Sequence, residues 1–76
     1  MKVVVEYHGQ MRAAAGKSSE QFEIEAGCTV GKLLEGMDEK LTKLKGLTFV
    51  GATQVNEEKV LREGDVLVLI SPIAGG

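Results

Sequence analysis

The sequence predicts an α+β fold in which a mixed sheet of four or five strands carries one main helix on one face. Several short segments alternate apolar and polar residues with the period of a strand, and one segment in the middle of the chain has apolar residues at helical spacing. With 76 residues, 43% of them hydrophobic, the chain has room for one small domain. We assign this domain to residues 1–71, followed by a flexible tail at residues 72–76.

The first third of the chain predicts two strands joined through a short helix. The period of a strand with one buried face is found at residues 2–8, where Val3, Val5 and Tyr7 alternate with Lys2, Glu6 and His8. This strand is predicted to end at Gly9. Good helix formers at residues 11–15 precede Gly16, a typical C-cap, and favour one or two turns of helix. Alternation at residues 21–25 predicts a second strand, antiparallel to the first.

The main helix is predicted to begin after Thr29, which is a suitable N-cap. Four apolar residues follow at the spacing of a single helical stripe: Val30, Leu33, Leu34 and Met37. Cys28 precedes the cap, where we expect it to pack as a hydrophobic residue rather than to serve as a redox switch or sulfur relay. Beyond the helix, we expect a looser segment that continues the core through Leu41, Leu44 and Leu47.

The rest of the domain predicts strands separated by turns. Residues 48–55 indicate a third strand, residues 56–58 a turn, residues 59–61 a short strand or edge segment, residues 63–65 a second turn and residues 65–70 the last strand. A helix that follows a hairpin buries its apolar stripe by covering one face of the sheet. We therefore expect the β-grasp arrangement, with a right-handed crossover that sets the last strand parallel to the first.

The last strand also predicts a contact surface. If Leu67 and Leu69 point towards the helix, the intervening side chains of Val66, Val68 and Ile70 point to the opposite face, where Val4 can join them. An open sheet face with several β-branched residues suggests a surface for a partner. The alternative is a central strand whose outer face is merely apolar.

The final five residues form the candidate reactive segment. Pro72 has no amide proton, so regular strand pairing should stop near Ser71. At about 3.3 Å per residue, the tail can extend roughly 16 Å from the sheet. Gly75 and Gly76 lack Cβ atoms, so their backbone can pass a narrow channel and bring a terminal carboxylate to a nucleotide phosphate. Ile73 is then expected to anchor the bound tail.

Composition argues against several other functions. Acyl transfer from a carboxylate requires activation, most simply adenylation with ATP, and the sequence has no glycine-rich phosphate loop, so a partner enzyme must supply that step. The single His8 and single Cys28 form no zinc motif, and we expect no metal. A net charge of −2 argues against a nucleic-acid partner. Glu6 follows three valines, too early for a signal peptide or a membrane span, which favours the cytoplasm.

On these residues the sequence resembles the sulfur carriers of the ubiquitin-like β-grasp superfamily, and most closely the small subunits of molybdopterin synthase. Residues 7–16 are similar to an aromatic, small residue, Leu-Arg and Ala-Gly segment of that family, with methionine in place of the leucine. Residues 28–34 resemble the Thr-Val start of its helix. Residues 55–57 and 63–66 resemble its two turns, and residues 71–76 its Pro-Pro-Val-Ser-Gly-Gly ending.

This resemblance implies a carrier that is not itself an enzyme and binds no cofactor. An E1-like enzyme would use ATP to adenylate Gly76, which becomes a thiocarboxylate and donates sulfur in molybdopterin biosynthesis, while Gly75 and Ala74 give the tail access. The partners implied are this E1-like adenylating enzyme and a large synthase subunit or another sulfur-acceptor enzyme. The residues expected to contact them are Val68, Ile70, Pro72 and Ile73.

Three alternatives stay open. The ending at residues 73–76 also fits a carrier of the thiamine pathway, although the insert at residues 12–16 favours molybdopterin. An activated Gly76 could instead be joined to a lysine of another protein, as in ubiquitin-like modifiers. A domain that uses its sheet only for docking would not need the final glycines.

Arg12 has two interpretations, because it could pin its helical turn to the sheet or face a large synthase subunit.

Overall fold

The computed structural model describes residues 1–37 and 46–71. The predicted tail at residues 72–76, and the core positions predicted for Leu41 and Leu44, lie outside these ranges. The described elements are, in chain order, β1 (Lys2–His8), α1 (Gln10–Ala15), β2 (Ser19–Glu23), α2 (Val30–Glu35), β3 (Leu47–Val50), β4 (Thr53–Val55) and β5 (Val66–Ile70).

The five strands form one mixed sheet in the order β2-β1-β5-β3-β4. β1 pairs in parallel with β5 and antiparallel with β2, while β3 pairs antiparallel with both β5 and β4. The two strands from the ends of the domain thus lie side by side at the centre of the sheet. This arrangement confirms the predicted α+β, ubiquitin-like β-grasp fold and the parallel pairing of its first and last strands.

The core lies between the sheet and α2. Alternate side chains of β1 and β5 point to this layer and meet the apolar stripe of α2, together with one residue of α1 and one of the loop before β5. The buried members are Val3, Val5, Tyr7, Met11, Val30, Leu33, Leu61, Leu67 and Leu69. Each fully buried large side chain of this kind stabilises the fold by about 1.5–3 kcal/mol relative to exposure.

Both helices have the ends that their sequences predict. Gly16 ends α1 in the left-handed conformation, and its amide donates to the Arg12 carbonyl at 3.0 Å. Thr29 caps α2, where its Oγ1 accepts from the Lys32 amide at 3.2 Å. The predicted stripe is confirmed within α2, because Val30 and Leu33 are buried and Leu34 packs half-buried against the core. The helix ends at Glu35, so Met37 packs half-buried against the same core from two residues beyond its end.

Three predictions for the second half of the domain were wrong in part. Residues 48–55 form two strands rather than one, because Gly51 has a φ of 62° and turns the chain back between them. Leu47 does not continue the core but begins β3 with 43% of its surface exposed. Residues 59–61 form no regular strand; Val60 makes an isolated antiparallel bridge to Thr29.

Candidate partner-binding face and tail root

The outer side chains of β5 lie where the alternation predicts. Leu67 and Leu69 are buried beneath the helix layer, with 0% and 3% exposure. Val66, Val68 and Ile70 project to the other side of the sheet and are half-buried. No described helix covers this side. The structure thus confirms which face these residues occupy, while their contact with a partner remains a prediction.

Strands on both sides of β5 extend this apolar surface. Val4 of β1 lies opposite Val66, and on β3 Phe49 lies opposite Val68 and Leu47 opposite Ile70. We define the open face as these six side chains: Val4, Leu47, Phe49, Val66, Val68 and Ile70. The predicted surface included neither β3 residue. The alternation at residues 47–50 indicates a strand with two different faces. Which of these is the outer face follows only when the pairing of β3 with β5 is known.

Polar side chains border the open face. Glu6 and His8 of β1 lie opposite Val68 and Ile70, and His8 Nε2 is 3.3 Å from Glu6 Oε1. Gln54 of β4 lies opposite Phe49 on the other side. The His8 side chain is 52% exposed at the end of β1. An apolar centre with a polar rim is the usual composition of a protein-binding surface.

The tail root, which we define as residues 70–71, lies at one end of this face. β1 and β5 end together, with His8 opposite Ile70. Ser71, which directly follows β5, is 4% exposed, and its Oγ accepts a hydrogen bond from the Gln10 amide at 2.8 Å. The point at which the chain leaves the sheet is therefore tied to the beginning of α1.

Close backbone packing holds the other side of the tail root. A Cβ placed on Gly46 would lie 2.5 Å from the Ile70 carbonyl oxygen and 3.0 Å from Cε of Met11. No real Cβ makes such a contact, so this position requires glycine. Gly46 immediately precedes β3, and it allows that strand to start directly against the end of β5.

The remaining predicted site residues lie elsewhere. Pro72, Ile73, Ala74, Gly75 and Gly76 are outside the described residues, and their roles remain predictions. Cys28 is half-buried against the core, as expected for a packing residue. Arg12 is exposed on α1, and within the described ranges its guanidinium makes no ion pair. The structure therefore gives no support to the interpretation that Arg12 pins α1 to a carboxylate of the described sheet.

The buried phenol of Tyr7 has a pKa well above its ordinary value. Burial of the ring, followed by the charge of Glu20 and a hydrogen bond to it, raises the pKa of Tyr7 to about 12. The hydroxyl donates to Glu20 Oε1 at 3.2 Å. Tyr7 is on the core side of β1, away from the open face, so this pair joins β1 to β2 and has no place in the candidate site.

In residues 1–37 and 46–71, His, Cys, Asp and Glu side chains form no group of three or more that could hold a metal ion. None of the helices in these ranges has the length and apolar character needed to cross a bilayer.

Comparison with known proteins places these features in a family. The model of the ThiS family matches residues 5–76, which is nearly the whole chain and includes Gly75 and Gly76. No curated protein sequence matches the chain.

The solved structures that are similar over nearly their whole length include the following three. SAMP1, a small archaeal modifier protein from Haloferax volcanii, is 18% identical with a TM-score of 0.86, and the match covers 100% of both chains. A protein described as molybdopterin converting factor subunit 1 from Pyrococcus furiosus is 26% identical with a TM-score of 0.79, covering 96% of this chain and 99% of that one. A chain of the complex between subunits 1 and 2 of the molybdopterin-converting factor from Helicobacter pylori is 20% identical, with a TM-score of 0.73 and 100% coverage of both chains.

Proposed function

The chain belongs to the ThiS family, whose members are small carrier subunits that act with partner enzymes, and from this premise we propose that it is a sulfur carrier whose reactive group is the carboxylate of Gly76. The carbonyl carbon of a carboxylate is a poor electrophile. In the proposed cycle, a partner enzyme joins this carboxylate to the α-phosphate of ATP, which releases pyrophosphate. Hydrosulfide from a sulfur donor then attacks the acyl carbon, AMP leaves with the adenylate oxygen and one proton is released, so that Gly76 ends in a thiocarboxylate.

One observation carries this proposal: the family match runs through residue 76 and so includes both final glycines. The arrangement of the described residues fits the same role. Ile70 lies on the open face, and Ser71 follows it at the root of the tail. An enzyme that binds the open face therefore has the start of the tail at one edge of the contact. Contact with the open face would supply affinity, and the glycines would supply access.

Molybdopterin biosynthesis is the pathway that we propose for the sulfur. The protein described as molybdopterin converting factor subunit 1 from Pyrococcus furiosus is 26% identical over nearly the whole chain. The resemblance to known carriers implies that the shorter carriers of the thiamine pathway usually lack the segment at residues 12–16. In this chain the segment lies largely within α1. We propose that a large synthase subunit docks on the open face. The similar chain from Helicobacter pylori belongs to a complex of this type, between subunits 1 and 2 of the molybdopterin-converting factor.

A protein modifier is the second candidate function. It is favoured by the similarity of the fold to SAMP1, with a TM-score of 0.86. The activation step would be the same, but the amine of a lysine on a target protein, rather than sulfur, would attack the adenylated Gly76 and form an isopeptide bond. We place either process in the cytoplasm, where reducing conditions keep a thiocarboxylate and the lone Cys28 thiol unoxidised.

Intact-mass spectrometry tests the proposal. The chain is incubated with its cognate E1-like enzyme, ATP, magnesium and a sulfur donor, beside a variant that lacks Gly76. A mass gain equal to the exchange of one oxygen for sulfur, seen in the full chain and lost in the variant, supports the carrier. Lysine-linked adducts support the modifier. If the shortened variant gains sulfur as the full chain does, the proposed role of Gly76 is wrong.

The receiving pathway needs a second assay. The sulfur-loaded chain is offered in turn to a large molybdopterin synthase subunit with its precursor and to a thiazole synthase with its substrates. Product from the first alone supports molybdopterin biosynthesis, and product from the second alone assigns the chain to the thiamine pathway.

A further inference from the structure

Apart from the phenol of Tyr7, Ser71 is the one buried polar side chain in the described parts of the chain. It comes directly after β5, where its Oγ accepts the Gln10 amide proton at 2.8 Å across a sequence separation of 61 residues. A buried hydroxyl with a satisfied, distant backbone partner fixes two segments relative to each other. Here the two segments are the beginning of α1 and the root of the tail.

The beginning of α1 is built to receive this hydroxyl. Its N-cap residue, Gly9, has no side chain that could cap the helix, and the structure shows no side-chain cap within that turn. Gly9 has a φ of 62°, and a Cβ there would lie 3.2 Å from the Ser71 carbonyl oxygen and 3.3 Å from its Oγ. Glycine therefore allows both the local backbone and the close approach of Ser71, whose Oγ accepts the first amide of α1, a donor with no partner inside the helix.

The tail root is held on its second side as well. The Ile70 carbonyl oxygen packs against the backbone of Gly46, where an added Cβ would lie 2.5 Å away. Ile70 and Ser71 are thus held between α1 and the start of β3, one residue before the segment that ends in Gly76. Neither contact is needed to place Val68 or the other central residues of the open face, which the strand pairing fixes on its own.

We propose that Ser71 is a positioning residue for activation of the carrier: its hydrogen bond to Gln10 sets the direction in which the chain leaves the sheet, and so where Gly76 meets the nucleotide. This proposal rests on the proposed function. A root that is already oriented lowers the cost of bringing Gly76 into line with the nucleotide after the partner has docked. The bond therefore acts on the rate of adenylation, and docking through the open face is left unchanged.

The test breaks this hydrogen bond from both sides. Ser71→Ala removes the acceptor. An ester in place of the peptide bond between Gly9 and Gln10 removes the N–H donor and adds no atom next to Ser71 Oγ. Each is expected to lower kcat for adenylation about tenfold at unchanged KM for the carrier. The double variant should lose no more than either single variant, because both break the same bond. Ser71→Thr, which keeps the hydroxyl, should restore the rate.

Thr29→Ala is the matched control. It removes a hydroxyl that accepts an amide of the first turn of α2, the same kind of bond far from the tail root. It is expected to lower the melting temperature without changing kcat or KM. If Thr29→Ala lowers kcat as much as Ser71→Ala does, if the loss appears in KM, or if the two losses in the double variant add, the positioning role is wrong.

A readout without activity separates this inference from the proposed function. A spin label is attached at Ala74→Cys in a Cys28→Ala background, and its paramagnetic effect on the amides of α1 and β3 is measured by NMR. Ser71→Ala should change the pattern and Thr29→Ala should not. If the pattern changes although the parent chain is never adenylated, Ser71 orients the tail as inferred and it is the proposed function that fails. If the chain is adenylated but neither kcat nor the pattern responds to Ser71→Ala, the positioning role is refuted.

Discussion

Val68 of β5 and Phe49 of β3 lie opposite each other at the centre of the open face. On its other side Val68 pairs with Glu6 of β1, so the apolar centre of the open face lies directly beside its polar border. Cross-strand pairs of an aromatic and a β-branched residue stabilise a sheet by about 0.2–1 kcal/mol relative to two alanines. Contacts at the centre of an interface usually carry most of the binding energy, so this pair is the best place to test the open face.

Val68→Asp should weaken binding of the E1-like enzyme by at least about tenfold, because a carboxylate would have to be desolvated at the centre of the contact. Val60→Asp is the matched control, since Val60 is 46% exposed and lies outside the open face. Isothermal titration calorimetry gives both affinities, and thermal melting shows whether each variant is folded. Binding of a folded Val68→Asp chain as tight as that of the parent would contradict the role of the open face.

Gly46→Ala should destabilise the domain by about 1–3 kcal/mol, because the new methyl group would clash with the Ile70 carbonyl and the backbone must shift. Urea denaturation measures the change in the free energy of unfolding.

Gly36→Ala is the control for that substitution. Gly36 has a φ of −85°, and its nearest contact to an added Cβ is the Leu33 carbonyl oxygen at 3.6 Å. We expect this change to be neutral or to stabilise the fold by about 0.4–1 kcal/mol, through the reduced entropy of the unfolded chain. Equal losses in the two variants would mean that the close approach at Gly46 is not what requires glycine there.

Local chemistry explains which parts of the fold the sequence predicts. The cap at Thr29, the left-handed Gly16 and the alternation in β5 depend on residues within a few positions of one another, and all three are found in the structure. The break at Gly51 was missed because apolar and polar residues occur on both sides of it in a pattern that also suits one continuous strand. Its positive φ is a property of the folded hairpin.

The candidate site could be predicted only in part, for the same reason. Val68 and Ile70 follow from alternation on a strand that must be central. Phe49 and Leu47 join them only through the register between β3 and β5, which is a tertiary property. Ser71 gains its role from an amide 61 residues away in the sequence, and no local pattern reports such a contact.

Cys28→Ala should leave sulfur transfer intact and cost about 1 kcal/mol of stability through lost packing. Cys28 is half-buried against the core, and it lines a shallow groove together with Ile24 and Leu33, remote from the tail root. Intact mass reports the thiocarboxylate, and urea denaturation reports the stability. Loss of sulfur loading in a folded Cys28→Ala chain would show that the thiol takes part in the chemistry.

The stability of the domain should fall as the pH rises above about 10, because burial, with help from Glu20, raises the pKa of Tyr7 to about 12 in the folded state. The unfolded chain releases this proton near pH 10, so the folded state binds more protons between the two pKa values. The stabilisation is therefore complete below pH 10 and is lost progressively as the pH approaches 12. Urea denaturation of the parent and of Tyr7→Phe at several pH values isolates this contribution.

The difference in unfolding free energy between these two chains should stay constant up to about pH 10 and shrink above it. Because the chain contains a single tyrosine, absorbance titration of the folded protein reports Tyr7 directly. Glu20→Gln should lower the pKa of Tyr7 only in part, since burial is its largest cause. A titration midpoint near 10 in the folded parent, or a difference that does not change with pH, would show that the ring is not held in a desolvated site between β1 and β2.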